Sequence, residues 1–161
     1  MRFVKIAAVA CLLLLAAVVL ATGWPKFKGQ WFDVKYPPGF TVVGRDKNSS
    51  GKYDGASFIS ADKTVEFYVY SPRFHGDSWW LIRRSGETLG GQSTESGGKY
   101  TIKYGTFTGP KKKYSRSYAA YTNKSDDSQH VFGFRYNSQA AYNKYRPQYM
   151  TFKASLVQYA D

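Results

Sequence analysis

In Trp31-Phe-Asp-Val-Lys-Tyr36, the apolar residues Phe32, Val34 and Tyr36 alternate with Trp31, Asp33 and Lys35. A period of two marks a β-strand, because successive side chains point to opposite faces. Pro37-Pro38-Gly39 ends it, since proline cannot donate to a ladder and glycine turns cheaply. Phe40 to Val43 and Ala56 to Ser60 predict two more short strands. Thr64 to Tyr70 gives the clearest pattern, with Val65, Phe67 and Val69 on one face and Thr64, Glu66, Tyr68 and Tyr70 on the other. Three further strands are predicted over Tyr100 to Phe107, Lys113 to Thr122 and His130 to Tyr136. Breaker residues separate them at Thr108-Gly109-Pro110 and over Asn123 to Asp127.

Between the first and last groups of strands, Ser71 to Gly98 is less regular. Asp77 predicts a cap for a short helix over Ser78 to Ser85, and Leu89 to Gly98 has the composition of a flexible linker. At the C-terminus the period changes. Ser138 is a good N-cap and Gln139 to Tyr145 predicts helix, with a kink or restart at Pro147, where a bond is lost. Tyr149, Phe152, Leu156 and Tyr159, spaced by three and four, then form one apolar stripe over a helix reaching residue 158. The fold class is α+β, a mainly antiparallel sheet with a C-terminal helix packed on it.

Several of these segments together resemble the PsbP-like family: Phe32-Asp-Val-Lys-Tyr-Pro-Pro-Gly-Phe40, Ala56-Ser-Phe-Ile-Ser60 and Val65-Glu-Phe-Tyr-Val-Tyr-Ser-Pro72. So do Phe132-Gly-Phe-Arg-Tyr136, Ala141-Tyr-Asn-Lys-Tyr145 and Phe152-Lys-Ala-Ser-Leu156. The resemblance implies an α/β/α sandwich and a non-enzymatic binding or scaffolding role. Residues 71–98 depart from the pattern, and no binding residue is carried over.

The beginning of the chain follows another logic. Arg2 and Lys5 precede a run, Ile6 to Trp24, without a charge. Basic start, apolar run and small residues at the end are the layout of a secretory signal over residues 1–21, with cleavage after Ala21. The alternative is an uncleaved membrane anchor, since the run is near the lower limit of a bilayer span. Either way the remainder, 22–161, is an exported single domain, periplasmic or secreted. The lone cysteine, Cys11, lies inside the apolar run, so a mature chain would hold no disulfide.

Charge sharpens the picture. The chain has 23 Lys and Arg against 11 Asp and Glu, a net charge of +12, which becomes +10 when Arg2 and Lys5 leave with the signal. Aromatic residues make up 18% of it, which excludes a disordered basic tail. In Lys111-Lys112-Lys113, at the start of a predicted strand, alternation puts Tyr114, Arg116 and Tyr118 on one face. Lys103 and Tyr104 fall on the neighbouring strand, and Arg83-Arg84 follow Trp79-Trp80. Cations interleaved with aromatic rings fit polyanion binding. For an exported protein the expected partner is an anionic lipid, polysaccharide or wall polymer, or another envelope protein, and not nucleic acid. Contact with the membrane core is expected only through an uncleaved N-terminal segment. The competing reading of the lysines is a solvated sheet edge. Trp79 and Trp80 are candidates for sugar stacking or an interface.

Catalytic motifs are sparse. His75 and His130 have no metal-ligand spacing and read as surface residues, and no G-x-S-x-G or P-loop occurs. Asp126-Asp127 sits in a turn, where acids are ordinary. Asp46, Asn48, Ser50 and Asp54, with Gly51 at the sixth position, follow part of the spacing of a calcium loop. Position twelve is Ser57, however, not the bidentate glutamate, and Lys47 and Lys52 repel a cation. No metal, cofactor or enzymatic reaction is therefore expected. A small hydrolase with an unrecognised carboxylate site is the remaining alternative.

Overall fold

The computed structural model describes residues 23–72 and 83–159. The predicted signal over 1–21, Cys11, His75, Trp79, Trp80 and most of the predicted 78–85 helix lie outside the described residues. Arg83 and Arg84, at the end of that segment, are not helical. No helix among the described residues is long and apolar enough to cross a membrane.

Two sheets form. The small one has the order β1-β2-β10, from β1 (Lys26–Lys28), β2 (Phe32–Lys35) and β10 (Val157–Gln158). The large one has seven antiparallel strands in the order β3-β4-β5-β9-β8-β7-β6. These are β3 (Thr41–Lys47), β4 (Tyr53–Ile59), β5 (Val65–Tyr70), β6 (Thr88–Gly97), β7 (Tyr100–Thr108), β8 (Ser115–Asn123) and β9 (Gln129–Tyr136). Register places Ile59, Val65, Tyr136, Ser115 and Thr108 at one end of the sheet. The chain enters its helix there at Ser138, so it is called the Ser138 end. The turns after Lys47, Gly97 and Asn123 mark the opposite, Asn123 end.

The helix α1 spans Gln139–Ala154 and is the one α-helix among the described residues. The Ser138 hydroxyl accepts from the Ala141 amide at 3.1 Å, satisfying one of the helix's unpaired first-turn donors. Ala141, Tyr145, Tyr149 and Phe152, at helical spacing, are buried on one face. They meet Phe58, Phe67, Phe132 and Phe134 of the large sheet and Phe32 and Val34 of the small one. Phe67 has ring neighbours in Phe40, Phe134, Tyr149 and Phe152, at centroid distances of 5.2–5.4 Å. Such tilted and edge-on pairs add to the burial term.

Three expectations are corrected. The helix does not restart at Pro147 but continues through it, because burial on the sheet side outweighs the bond proline cannot make. It also stops at Ala154 rather than reaching residue 158. The Ser155 hydroxyl bonds both the Lys35 amide (2.9 Å) and the Phe152 carbonyl (2.7 Å), and the chain then becomes β10 beside β2. Lastly, the Gly- and Ser-rich segment is not a linker. Its residues form β6, paired with β7 from Thr88↔Thr108 to Gly97↔Tyr100 with a bulge between Leu89 and Gln92. Main-chain pairing to a neighbouring strand overrides weak side-chain propensity.

Candidate functional site

The face of the large sheet away from α1 carries a second, smaller apolar cluster of Tyr70, Phe107, Tyr118 and Val131. Beside it, toward the Ser138 end, runs a row of charges. Cross-strand pairing sets Glu66 opposite Arg135, Arg135 opposite Arg116, and Arg116 opposite Phe107. Two arginines directly opposite each other repel, so this row requires anions. Glu66 supplies one within the sheet and Glu87, from the loop before β6, supplies the other.

Glu87 is wholly enclosed. Its carboxylate accepts from Arg116 Nε at 2.9 Å and from Arg116 Nη2, from the Tyr114 hydroxyl at 3.0 Å and from the Arg84 amide at 2.8 Å. Arg84 in turn grips Glu66 with both terminal guanidinium nitrogens, Nη1 and Nη2, at 2.9 and 2.5 Å. The Arg135 guanidinium lies 4.3 Å from the centre of the Tyr114 ring, and that of Arg116 lies 4.7 Å from the Phe107 ring. Burial alone would raise both glutamates, but the hydrogen bonds and charge of Arg84 on Glu66, and of Arg116 on Glu87, hold them below the usual carboxylate range. The Tyr114 hydroxyl is pushed up by burial and by its bond to Glu87.

This network corrects the expectation that Arg116 joins a surface patch. Arg116 is buried and ion-paired with Glu87, since alternation from Ser115 turns it beneath the loop. The strand also begins later than expected, at Ser115 rather than Lys113. Gly109 and Pro110 start a 3-10 turn over Pro110–Lys112, with Lys111 and Lys112 at φ of 52° and 55°. Lys111, Lys112 and Lys113 are exposed. A Cβ on Gly86 would lie 2.9 Å from Pro110, so the loop carrying Arg83 to Glu87 packs directly on the lysine turn. The structure thus brings Arg83, Arg84, Lys111, Lys112, Lys113 and Arg116 to one end of the sheet. It separates Lys103, which faces Thr94 and Ala120 in the middle of β7 beside an open groove of about 340 Å³ lined also by Gln92, Ser93 and Tyr104.

His130, expected at the surface, is buried and stacked on Tyr121 at 4.6 Å with only 9° between the rings. Position 130 alternates in phase with Phe132 and Phe134, so it falls on the helix side. Burial, then repulsion from Lys153, lowers its pKa to about 4. Lys153 itself donates to the Tyr121 hydroxyl at 3.0 Å. The calcium-like segment closes on itself as a polar turn. Asp46 and Asp54 lie on β3 and β4, and the Asn48 side chain bonds Ser50, Lys52 and Asp54. Among the described residues no group of three His, Cys, Asp or Glu is placed to hold a metal.

Sequence reasoning missed Glu66 and Glu87 as organisers. The signal for Glu66 was an acid inside an otherwise apolar and aromatic strand; Glu87 offered none.

Among solved structures, the solution structure of cyanobacterial PsbP (CyanoP) from Synechocystis sp. PCC 6803 superposes with a TM-score of 0.53 at 9% identity, over 84% of this chain and 92% of that one. The fold is PsbP-like. A crystal structure from Bacteroides thetaiotaomicron VPI-5482 matches at a TM-score of 0.50 and 13% identity, over 84% of this chain but 48% of that one, so this PsbP-like chain spans about half its length. No family model matches the sequence, and no curated protein does. Within the PsbP-like sheet, the charged row lies on the face away from α1, and the lysine turn lies at the Ser138 end.

Proposed function

We propose that the protein is a non-catalytic binding or scaffolding protein exported to the cell envelope. One observation carries the reading: the acidic side chains buried among the described residues are engaged in bonds that hold the fold. Glu66 and Glu87 clamp a loop, and Asp33 is paired with Lys26 at 3.1 Å. A general base needs a pKa near the working pH, whereas these carboxylates are held low and His130 sits neutral in an aromatic stack. The PsbP-like fold is compatible with this reading, and the uncharged run from Ile6 to Trp24 supports export. Fractionation of cells expressing the full chain tests it. Recovery in the envelope or periplasmic fraction is expected, and recovery in the cytosol would overturn export.

A second reading, recognition of anionic lipid or polysaccharide, is favoured by the exposed lysine turn beside Arg83. Trp79 and Trp80 remain candidates for the same role.

A further inference from the structure

The two ends of the large sheet differ in charge. At the Asn123 end, the turns carry Lys47, Lys52, Lys99 and Lys124, but Asp46, Asp54, Asp126 and Asp127 lie among them. At the Ser138 end, the three carboxylates of the described residues are each engaged: Asp62 with Lys144, Glu66 with Arg84 and Glu87 with Arg116. Lys63, Lys111, Lys112 and Lys113 are exposed there in two turns, with Arg83 alongside. The β4–β5 and β7–β8 turns are three strand spacings apart, roughly 14 Å. That span exceeds one phosphate and matches a surface of repeated charges.

Backbone conformation adds a second observation. Among the described residues five non-glycine positions have positive φ, and three of them are lysines of this end: Lys63, Lys111 and Lys112. A left-handed conformation is costly for an ordinary side chain and less so for glycine or asparagine. Lysine stands at three positions where the backbone favours glycine or asparagine, which points to a use for the charge. Position adds a third. The Tyr36 amide bonds the Pro25 carbonyl at 3.0 Å, and Tyr36 turns through Pro37–Gly39 into Thr41, paired with Ile59 at the Ser138 end. The described chain therefore starts on the side from which these lysines project, at Gly23 and Trp24, the last two residues of the uncharged run that begins at Ile6.

We propose that the Ser138 end is a membrane-facing rim, on which Lys63, Lys111, Lys112 and Lys113 hold the domain against an anionic lipid bilayer. The proposal rests on the anionic-surface reading and narrows it to phospholipid. Contact is electrostatic, because the large exposed apolar side chains among the described residues, Met150, Val157 and Tyr159, lie on the helix or beyond its C-terminus. Basic residues near a charged bilayer contribute about 1 kcal/mol each, within a Debye length.

Co-sedimentation of the purified full chain with vesicles tests this, taking phosphatidylcholine alone as the baseline and adding phosphatidylglycerol. Binding above the baseline is expected to rise with phosphatidylglycerol and to fall steeply with salt. Lys63→Asn, Lys111→Asn and Lys112→Asn combined with Lys113→Gln keep residues suited to the backbone, so folding is retained, and thermal melting checks it. This variant is expected to lose roughly 1,000-fold in the anionic increment of binding, consistent with about 1 kcal/mol for each of four lysines. The charge-matched Lys47, Lys52, Lys99 and Lys124→Gln variant is expected to lose little. Equal loss in both variants, no dependence on phosphatidylglycerol, or binding to a soluble sulfated polysaccharide without binding to vesicles would each overturn the bilayer assignment. None of these outcomes bears on export, which fractionation reads separately.

Discussion

Glu87 shows how much one side chain can organise. It comes from a loop, yet it neutralises Arg116, orients Tyr114 and fixes the Arg84 amide, thereby seating the lysine turn through Gly86 and Pro110. Removing one partner of a buried pair strands the other, so Glu87→Gln is expected to cost about 3 kcal/mol in urea unfolding. Glu87→Leu with Arg116→Met removes both charges and is expected to restore most of that loss. His130 makes a second prediction at this scale. Its folded pKa of about 4 lies below the unfolded value of 6.5, so the unfolded chain takes up the proton first. Its contribution is whole above pH 6.5 and fades as the pH falls toward 4. His130→Phe is expected to flatten the melting temperature across that window. The acid loss at still lower pH, where Glu66 and Glu87 protonate through their lowered folded pKa values, is expected to remain. Unchanged pH dependence in the variant would remove His130 from the account.

At the scale of elements, helix α1 and strand β6 show what the sequence could and could not tell. Ser138 and the spacing of Tyr145, Tyr149 and Phe152 made the helix legible, because capping and amphipathicity are local. Pro147 misled, since the helix tolerates it where sheet packing compensates. Pro147→Ala restores an amide able to bond the Asn143 carbonyl and is expected to stabilise the domain by roughly 1–3 kcal/mol, measured by urea unfolding. Strand β6 was illegible for a different reason. Gly90, Gly91, Ser93 and Gly97 carry no strand preference, and only the neighbouring β7 makes them extended. The lysine turn fell between these cases. Its charge could be read, but its left-handed backbone and its support by Glu87 depend on contacts across 20 or more positions.

For the whole molecule, the net charge of +12 conceals an uneven distribution. The Asn123 end balances its lysines with aspartates, while at the Ser138 end Glu66 and Glu87 are paired inward and Asp62 is paired at the surface with Lys144. Composition gave the excess, and only the topology shows where it gathers. The same topology buries the centre of the large sheet on both faces, with Phe67 and Phe134 on one side and Tyr70 and Val131 on the other. In a sheet with one wet face, a strand that slips by a single residue exposes its apolar set, and this penalty fixes the pairing. Here that penalty is weakened, because either set of β5 side chains would be enclosed. What a slip would do instead is drive Glu66 into the aromatic layer beneath α1, away from Arg84. The buried charges thus discriminate between alignments that greasiness alone would leave nearly equivalent.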